Sequence, residues 1–312
     1  MYRIFDHTLV SDIPLPELPR EKGSVGSIHV QYTQDLTIPG DDPQWIHEWQ
    51  DQDGNTCIQC VLHENQYLLR FPGLCDFLIT ATGDQVQCSP HGDIPQETIR
   101  HLLLDQVIPR VLCHRGHLVL HASAVRLDDK VILFSGDTGS GKSTIASSFY
   151  RHGAELVTDD CLMIRLNPNN ACCVPSYHGL RLFPDSIAAL FPDQKEFSTV
   201  AHYTQKKRLF MKEGSTEIEH IPISAVVILS SPGDPAERKF VLQPIRGAEE
   251  MISLIQQLFL LDVKDKNRIA THFDNIKALV DRVPAIYRLQ YPHEYSRLDQ
   301  VREEIQSVLV SE

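Results

Sequence analysis

Over the first 95 positions the apolar residues come in short alternating runs. Ser27–Tyr32, Thr56–Leu62, Gln66–Phe71 and Asp76–Thr80 are separated by turn clusters such as Pro39–Pro43 and Asp53–Asn55. Runs of this length with a two-residue period predict β-strands. The prolines of Pro14-Leu-Pro-Glu-Leu-Pro19 hold that segment extended. From residue 96 the period changes. Ile99, Leu102, Leu103, Val107 and Val111 recur near 3.6 residues, which predicts a helix over 96–112 with a kink at Pro109. A strand at Leu118–Val125, a turn at Asp128–Lys130 and a buried strand at Val131–Phe134 follow. Beyond them the pattern predicts a helix at 143–151 and then strand, polar interruption, strand over 154–165. Val174–Phe183 is extended, Pro184–Phe191 is a short helix and Ile223–Leu229 is a buried strand. Helices at about 246–261, 265–282 and 295–310 and a strand at Ala285–Gln290 complete the chain. The expected fold is α/β, with a β-rich region over 1–95 and an α/β region over 96–312. No repeats or low-complexity tracts interrupt it.

The 312 residues are 42% hydrophobic and 22% charged, enough to bury a sizeable core. A formal net charge of -12 argues against nucleic acid or an anionic membrane as a general partner, because those select basic surfaces. The N-terminus lacks the pattern of a signal peptide, and no run approaches the ~20 apolar residues of a membrane span. A soluble, cytoplasmic protein is expected, with its eight cysteines reduced. Cys57 and Cys60 form a lone C-x-x-C; a zinc site would need Cys75, Cys88 or His63 to complete it.

The sharpest chemical signal is Gly136-Asp137-Thr138-Gly139-Ser140-Gly141-Lys142-Ser143-Thr144, which satisfies G-x-x-x-x-G-K-[ST] between a predicted strand and a predicted helix. The glycines let backbone N–H groups turn toward phosphate oxygens. Lys142 is expected to reach the β- and γ-phosphates, and the Ser143 hydroxyl to ligate Mg²⁺. The helix N-terminus adds a favourable dipole.

Leu156-Val-Thr-Asp159-Asp160 lies on the strand immediately after that helix, with Asp159 17 positions beyond Lys142. Phosphoryl transfer needs an acid on the metal and a group to accept the nucleophile's proton. Adjacent acids serve one site only where the strand ends or bends, since regular strand geometry sends them to opposite faces. His121, 15 residues before Gly136, is on the preceding strand. Taken alone, a histidine on an apolar strand reads as a satisfied core histidine.

His121, the phosphate loop and Leu-Val-Thr-Asp-Asp, in that order, resemble the core of HPr kinase/phosphorylase, which itself resembles phosphoenolpyruvate carboxykinase. That likeness covers about residues 115–230. A likeness over nearly the whole chain is carried by Pro14–Leu18, Leu69–Phe77, Arg100–Gln106, Leu120–Val125 and Gly179–Phe183. These look like the HPr-kinase-related proteins of peptide-modification gene clusters, among them lasso-peptide kinases that phosphorylate a serine of the precursor peptide. The resemblance implies a P-loop core with a β-rich N-terminal region and C-terminal helices, using ATP and Mg²⁺. It implies that Lys142 and the loop bind the nucleotide phosphates and that Ser143 and Asp160 hold Mg²⁺. It also implies that Asp159 is the base and that His121 sits beside Asp159. HPr kinases form hexamers, so a homo-oligomer is open.

Two departures are visible. Ser176-Tyr177-His178-Gly179 stands where the family has Glu-Ile-Arg-Gly. Glu219-His-Ile-Pro-Ile223 stands where it has an arginine-rich stretch tied to the phosphorylase reaction. The reverse reaction and HPr as substrate are therefore not expected. Lys206-Lys207-Arg208 is the only compact basic run in the sequence. It reads either as a solvated loop or, through Lys207 and Arg208, as a contact to phosphate or a peptide carboxylate. Arg181 carries the same two readings. The function expected is ATP-dependent phosphorylation of a peptide serine. The alternatives are a kinase of free serine or another metabolite, and a nucleotide-binding regulatory module with weak ATPase activity.

Overall fold

The computed structural model describes the chain except residues 23–26, 35, 37–43, 52, 178, 210–219, 231–239 and 311–312. The predicted turn at Pro39–Pro43, His178 and Glu219 lie outside the described residues. Among those described, no helix is long and apolar enough to cross a membrane.

The chain divides into two compact units. The first comprises Met1–His117 with Val200–Thr204 and Phe259–Thr271. Its eight-stranded sheet runs, in spatial order, Tyr2–Ile4, His7–Ser11, Ile28–Tyr32, Gln85–Pro90, Cys75–Thr80, Gln66–Phe71, Thr56–His63, His47–Gln50. Ile28–Tyr32 is parallel to both neighbours, and the other pairings are antiparallel. The four predicted strands are present. Edge strand His47–Gln50 escaped the pattern because His-Glu-Trp-Gln has no apolar alternation.

The predicted helix is continuous from Gln96 to His114, and its irregularity is a π-turn at Leu103–Val107 just before Pro109. Proline donates no N–H, so the ladder loosens one turn upstream. The helix belongs to this unit, whose first stretch runs to His117. The two later segments are tied in by polar contacts. The Tyr67 hydroxyl donates to Asp262 Oδ2 at 3.1 Å, and Thr98 Oγ1 meets His202 Nδ1 at 2.8 Å.

Zinc at Cys57 and Cys60 is not supported. Three residues apart on one strand, their side chains leave opposite faces, and Cys57 is exposed while Cys60 is buried. Among the described residues no three His, Cys, Asp or Glu side chains cluster as metal ligands.

The second unit comprises Leu118–Thr199, Gln205–Leu258 and His272–Glu312. Its nine-stranded mixed sheet has Lys130–Ser135 and Ile221–Leu229 side by side and parallel at the centre, with Ala285–Gln290 parallel to the latter. Ala122–Leu127 and Glu155–Thr158 extend it antiparallel on one side. Both faces are covered, which explains the unbroken apolar run Val131–Phe134. Ile132 and Phe134 pack with Ile145, Phe149 and Leu156 on one face. Val131 and Leu133 pack with Leu254, Ile276 and Leu279 on the other. A small antiparallel sheet of Ser198–Thr199, Lys207–Leu209 and Leu180–Leu182 lies in the same unit.

Candidate functional site

Strand Lys130–Ser135 delivers the chain to the glycine-rich loop, and helix Lys142–Arg151 leaves it. Ile145, Ala146 and Phe149 turn the helix's apolar face onto the sheet and so fix its N-terminus. Gly141 caps that helix at φ +93, a conformation that favours glycine. Asp137, Thr138 and Gly139 are exposed, whereas Gly136 and Ser140 are buried. Lys142 is buried as well, and its Nζ donates to the carbonyls of Gly136 at 2.6 Å and Asp137 at 3.0 Å. Burial pushes its pKa down to about 8, against the pull of Asp160 and Asp159.

The acidic pair sits where strand Glu155–Thr158 ends. Asp160 adopts φ +68, and this bend turns the two carboxylates out of strand alternation. Arg181 organises both. Its backbone N–H donates to Asp159 Oδ2 at 2.9 Å, its Nη1 donates to the Asp159 carbonyl at 3.1 Å, and its Nε lies 3.5 Å from Asp160 Oδ2. Asp159 also accepts from the Ser123 hydroxyl at 2.6 Å and is only 2% exposed. Burial, then the Asp160 charge, raises its pKa. Burial works against an ionised Asp160 too, but Lys206, His121 and Arg181 together hold its carboxyl well below the usual range.

A cavity of about 310 Å³ adjoins these groups. Lys142, Ser143, Thr144, His121, Asp160, Arg181 and Lys206 are on its wall. The structure thus brings together the loop, His121, Asp160 and Arg181 as the sequence suggests. It departs at Asp159, which is not part of the wall. The carboxylate that His121 meets is that of Asp160, with Nε2 to Oδ1 at 3.8 Å. Burial and Lys142 press the imidazole toward its neutral form, and Asp160 opposes them.

The basic run also resolves differently. Lys207–Leu209 is a strand, so its side chains alternate. Lys206, just before it, reaches the cavity wall, while Lys207 does not. Arg208 is buried, 5.7 Å over the Tyr177 ring, whose other neighbour is the Arg181 guanidinium at 4.9 Å. Sequence reasoning missed Ser123 and Tyr177, and it missed the segment Tyr291–Leu298, which closes another part of the cavity. Ser123 and Tyr291 are revealed only by contacts across more than 30 residues, to Asp159 and Ser140.

Gly141 is a sharp test of this packing. A Cβ there would stand 2.2 Å from the Tyr291 hydroxyl oxygen and 3.5 Å from Cζ. Gly141→Ala is expected to lose stability through that clash and through a positive φ that costs an L-residue about 1–2 kcal/mol. Adding Tyr291→Phe removes the clash, at the cost of the Tyr291 hydroxyl's long bond to the Ser140 carbonyl at 3.3 Å. The double variant should melt between Gly141→Ala and wild type; equal melting of Gly141→Ala and wild type would contradict the packing.

No protein-family profile matches the chain, and no curated protein matches it. Among solved structures, it is similar to the HPr(Ser) kinase/phosphatase from Coxiella burnetii. Identity is 12%, the match covers 62% of this chain and 95% of that one, and the TM-score is 0.27.

Proposed function

We propose that this chain is an ATP-dependent phosphotransferase whose acceptor is a serine hydroxyl of a peptide. The observation that carries the reading is the convergence on one cavity of Lys142, Ser143, His121, Asp160, Arg181 and Lys206 at the mouth of a glycine-rich loop and a helix N-terminus. Such a wall supplies what transfer of a phosphoryl group requires: loop amides and cations around the triphosphate, and oxygen ligands for a metal.

The donor chemistry suits Mg²⁺, since the Ser143 hydroxyl and the ionised Asp160 carboxylate are hard oxygens on the same wall. Bound there, Mg²⁺ would neutralise charge on the phosphate oxygens. Lys142 would exchange its bonds to Gly136 and Asp137 for phosphate oxygens, and Lys206 and Arg181 would face the charge growing on the transferred group. His121, held toward neutrality on the wall, takes the serine proton. Asp159 fixes Arg181 and the Ser123 hydroxyl and acts as a positioning residue. A peptide acceptor is favoured by the sequence resemblance.

Three substitutions test the assignment. Asp160→Asn should lower Mg²⁺ affinity and recover partly in excess metal. His121→Gln should bind Mg·ATP normally yet transfer about 10²–10⁴-fold more slowly. Asp159→Asn should chiefly lower the melting temperature. If Asp159→Asn instead melts normally, binds Mg·ATP and fails to transfer, the base is Asp159 and not His121. Competition between free serine and serine peptides addresses the acceptor; comparable kcat/KM for free serine would reject the peptide.

A further inference from the structure

The geometry points to a nucleoside-binding end of this cavity, formed by Tyr291, His293 and Tyr295 with Ser186. The inference rests on the phosphotransferase reading and extends it to the part of a nucleotide that the glycine-rich loop does not hold.

The contacts sort the cavity wall into two groups. His121, Asp160, Arg181 and Lys206 form the ionic group, linked by the pairings around Asp160. The other group is aromatic and follows strand Ala285–Gln290. The imidazole of His293 stacks on the Tyr291 ring, with centroids 4.5 Å apart and planes inclined by 20°. Tyr291 is anchored to the loop, its hydroxyl donating to the Ser140 carbonyl at 3.3 Å. Tyr291 is buried and covers one face of the imidazole; His293 is exposed and is part of the cavity wall. An aromatic ring with one face backed and the other open is a stacking platform for a nucleobase, because every base offers a π-face.

A run of hydroxyls leads from the loop helix toward this platform. Thr144 Oγ1 lies 3.4 Å from Ser186 Oγ, which lies 2.9 Å from the Tyr295 hydroxyl. Hydroxyls that both donate and accept suit ribose oxygens. The order of groups sets the nucleotide's direction. The terminal phosphate faces Lys142 and Asp160, the inner phosphates follow the loop to Thr144, the sugar meets Ser186 and Tyr295, and the base lies on His293.

The test compares Mg·ATP with magnesium tripolyphosphate, which carries three phosphates and no nucleoside. Binding of each to the full chain is measured by calorimetry. His293→Ala and Tyr295→Ala should weaken Mg·ATP about 5- to 100-fold, the range of one lost stacking partner, and leave tripolyphosphate within about twofold. His293→Phe should retain Mg·ATP. Equal weakening of both ligands, or no change in either, would overturn the nucleoside site while leaving the phosphate site standing. Failure of wild type to bind either ligand would overturn the phosphotransferase reading and this inference with it. Both residues are exposed, and melting curves of each variant establish that the fold is retained.

Discussion

Lys142→Ala is expected to reduce phosphoryl transfer about 10²–10³-fold, the usual cost of removing one charged or hydrogen-bonding group aimed at a transition state. Its side chain is not an exposed arm waiting for ligand. It is buried and donates to the Gly136 and Asp137 carbonyls, so the substitution also removes two bonds that brace the loop. The accompanying loss of stability should be about 1–3 kcal/mol, the cost of leaving the buried Gly136 carbonyl without its donor; Asp137 is exposed. Lys142→Arg should not restore transfer, since a planar fork does not fit a niche shaped for an ammonium. Steady-state turnover together with a urea melt separates the two effects. Near wild-type turnover in Lys142→Ala would remove the loop from the mechanism.

The second large effect is expected at Arg181. This side chain is 1% exposed and lies against Asp160 and the Tyr177 ring, with its Nη2 donating to the Tyr177 hydroxyl. Arg181→Met keeps much of the volume but leaves the acidic pair without its buried cation. Breaking a buried ion pair from one side costs about 3–5 kcal/mol, because the remaining charge stays desolvated. Adding Asp160→Asn should return part of that loss, and the double-mutant cycle reads the coupling directly. A denaturant midpoint for Arg181→Met close to wild type would show that Arg181 does not organise the pair. The sign with pH is fixed by Asp160. Its depressed pKa contributes stability above the ordinary carboxylate range, and that contribution fades as pH falls through the lowered value.

The loop, its strand and its helix were legible because they are local: one motif, one apolar run of four and one 3.6-residue period within 21 residues, 131–151. The same holds for Asp159 and Asp160, whose bend at a strand's end was anticipated. Their division of labour was not legible. It depends on Arg181 and Ser123, which reach Asp159 from 22 and 36 residues away. Lys206 was passed over for Lys207 and Arg208 because three adjacent cations look alike until a strand's alternation separates them. Tyr291 and His293 carry no motif at all. Their stack over Gly141 exists because Ala285–Gln290 runs parallel within the sheet that also feeds the loop.

The composition of the first unit from three stretches of chain has a consequence for biosynthesis. Its sheet and helix are specified by residue 117, yet Val200–Thr204 and Phe259–Thr271 belong to it as well. The Tyr67 hydroxyl finds Asp262, and the Arg110 guanidinium finds the Phe259 ring, only after residue 262 has left the ribosome. At about 5–20 residues per second, the N-terminal unit waits roughly 8–30 s for its last segment. During that interval the second unit is being made in the gaps between the segments. The two units therefore cannot mature one after the other as beads on a string. A cut at 117/118 would yield two incomplete pieces, and deletion of the N-terminal sheet would leave Phe259–Thr271 without the residues it packs against.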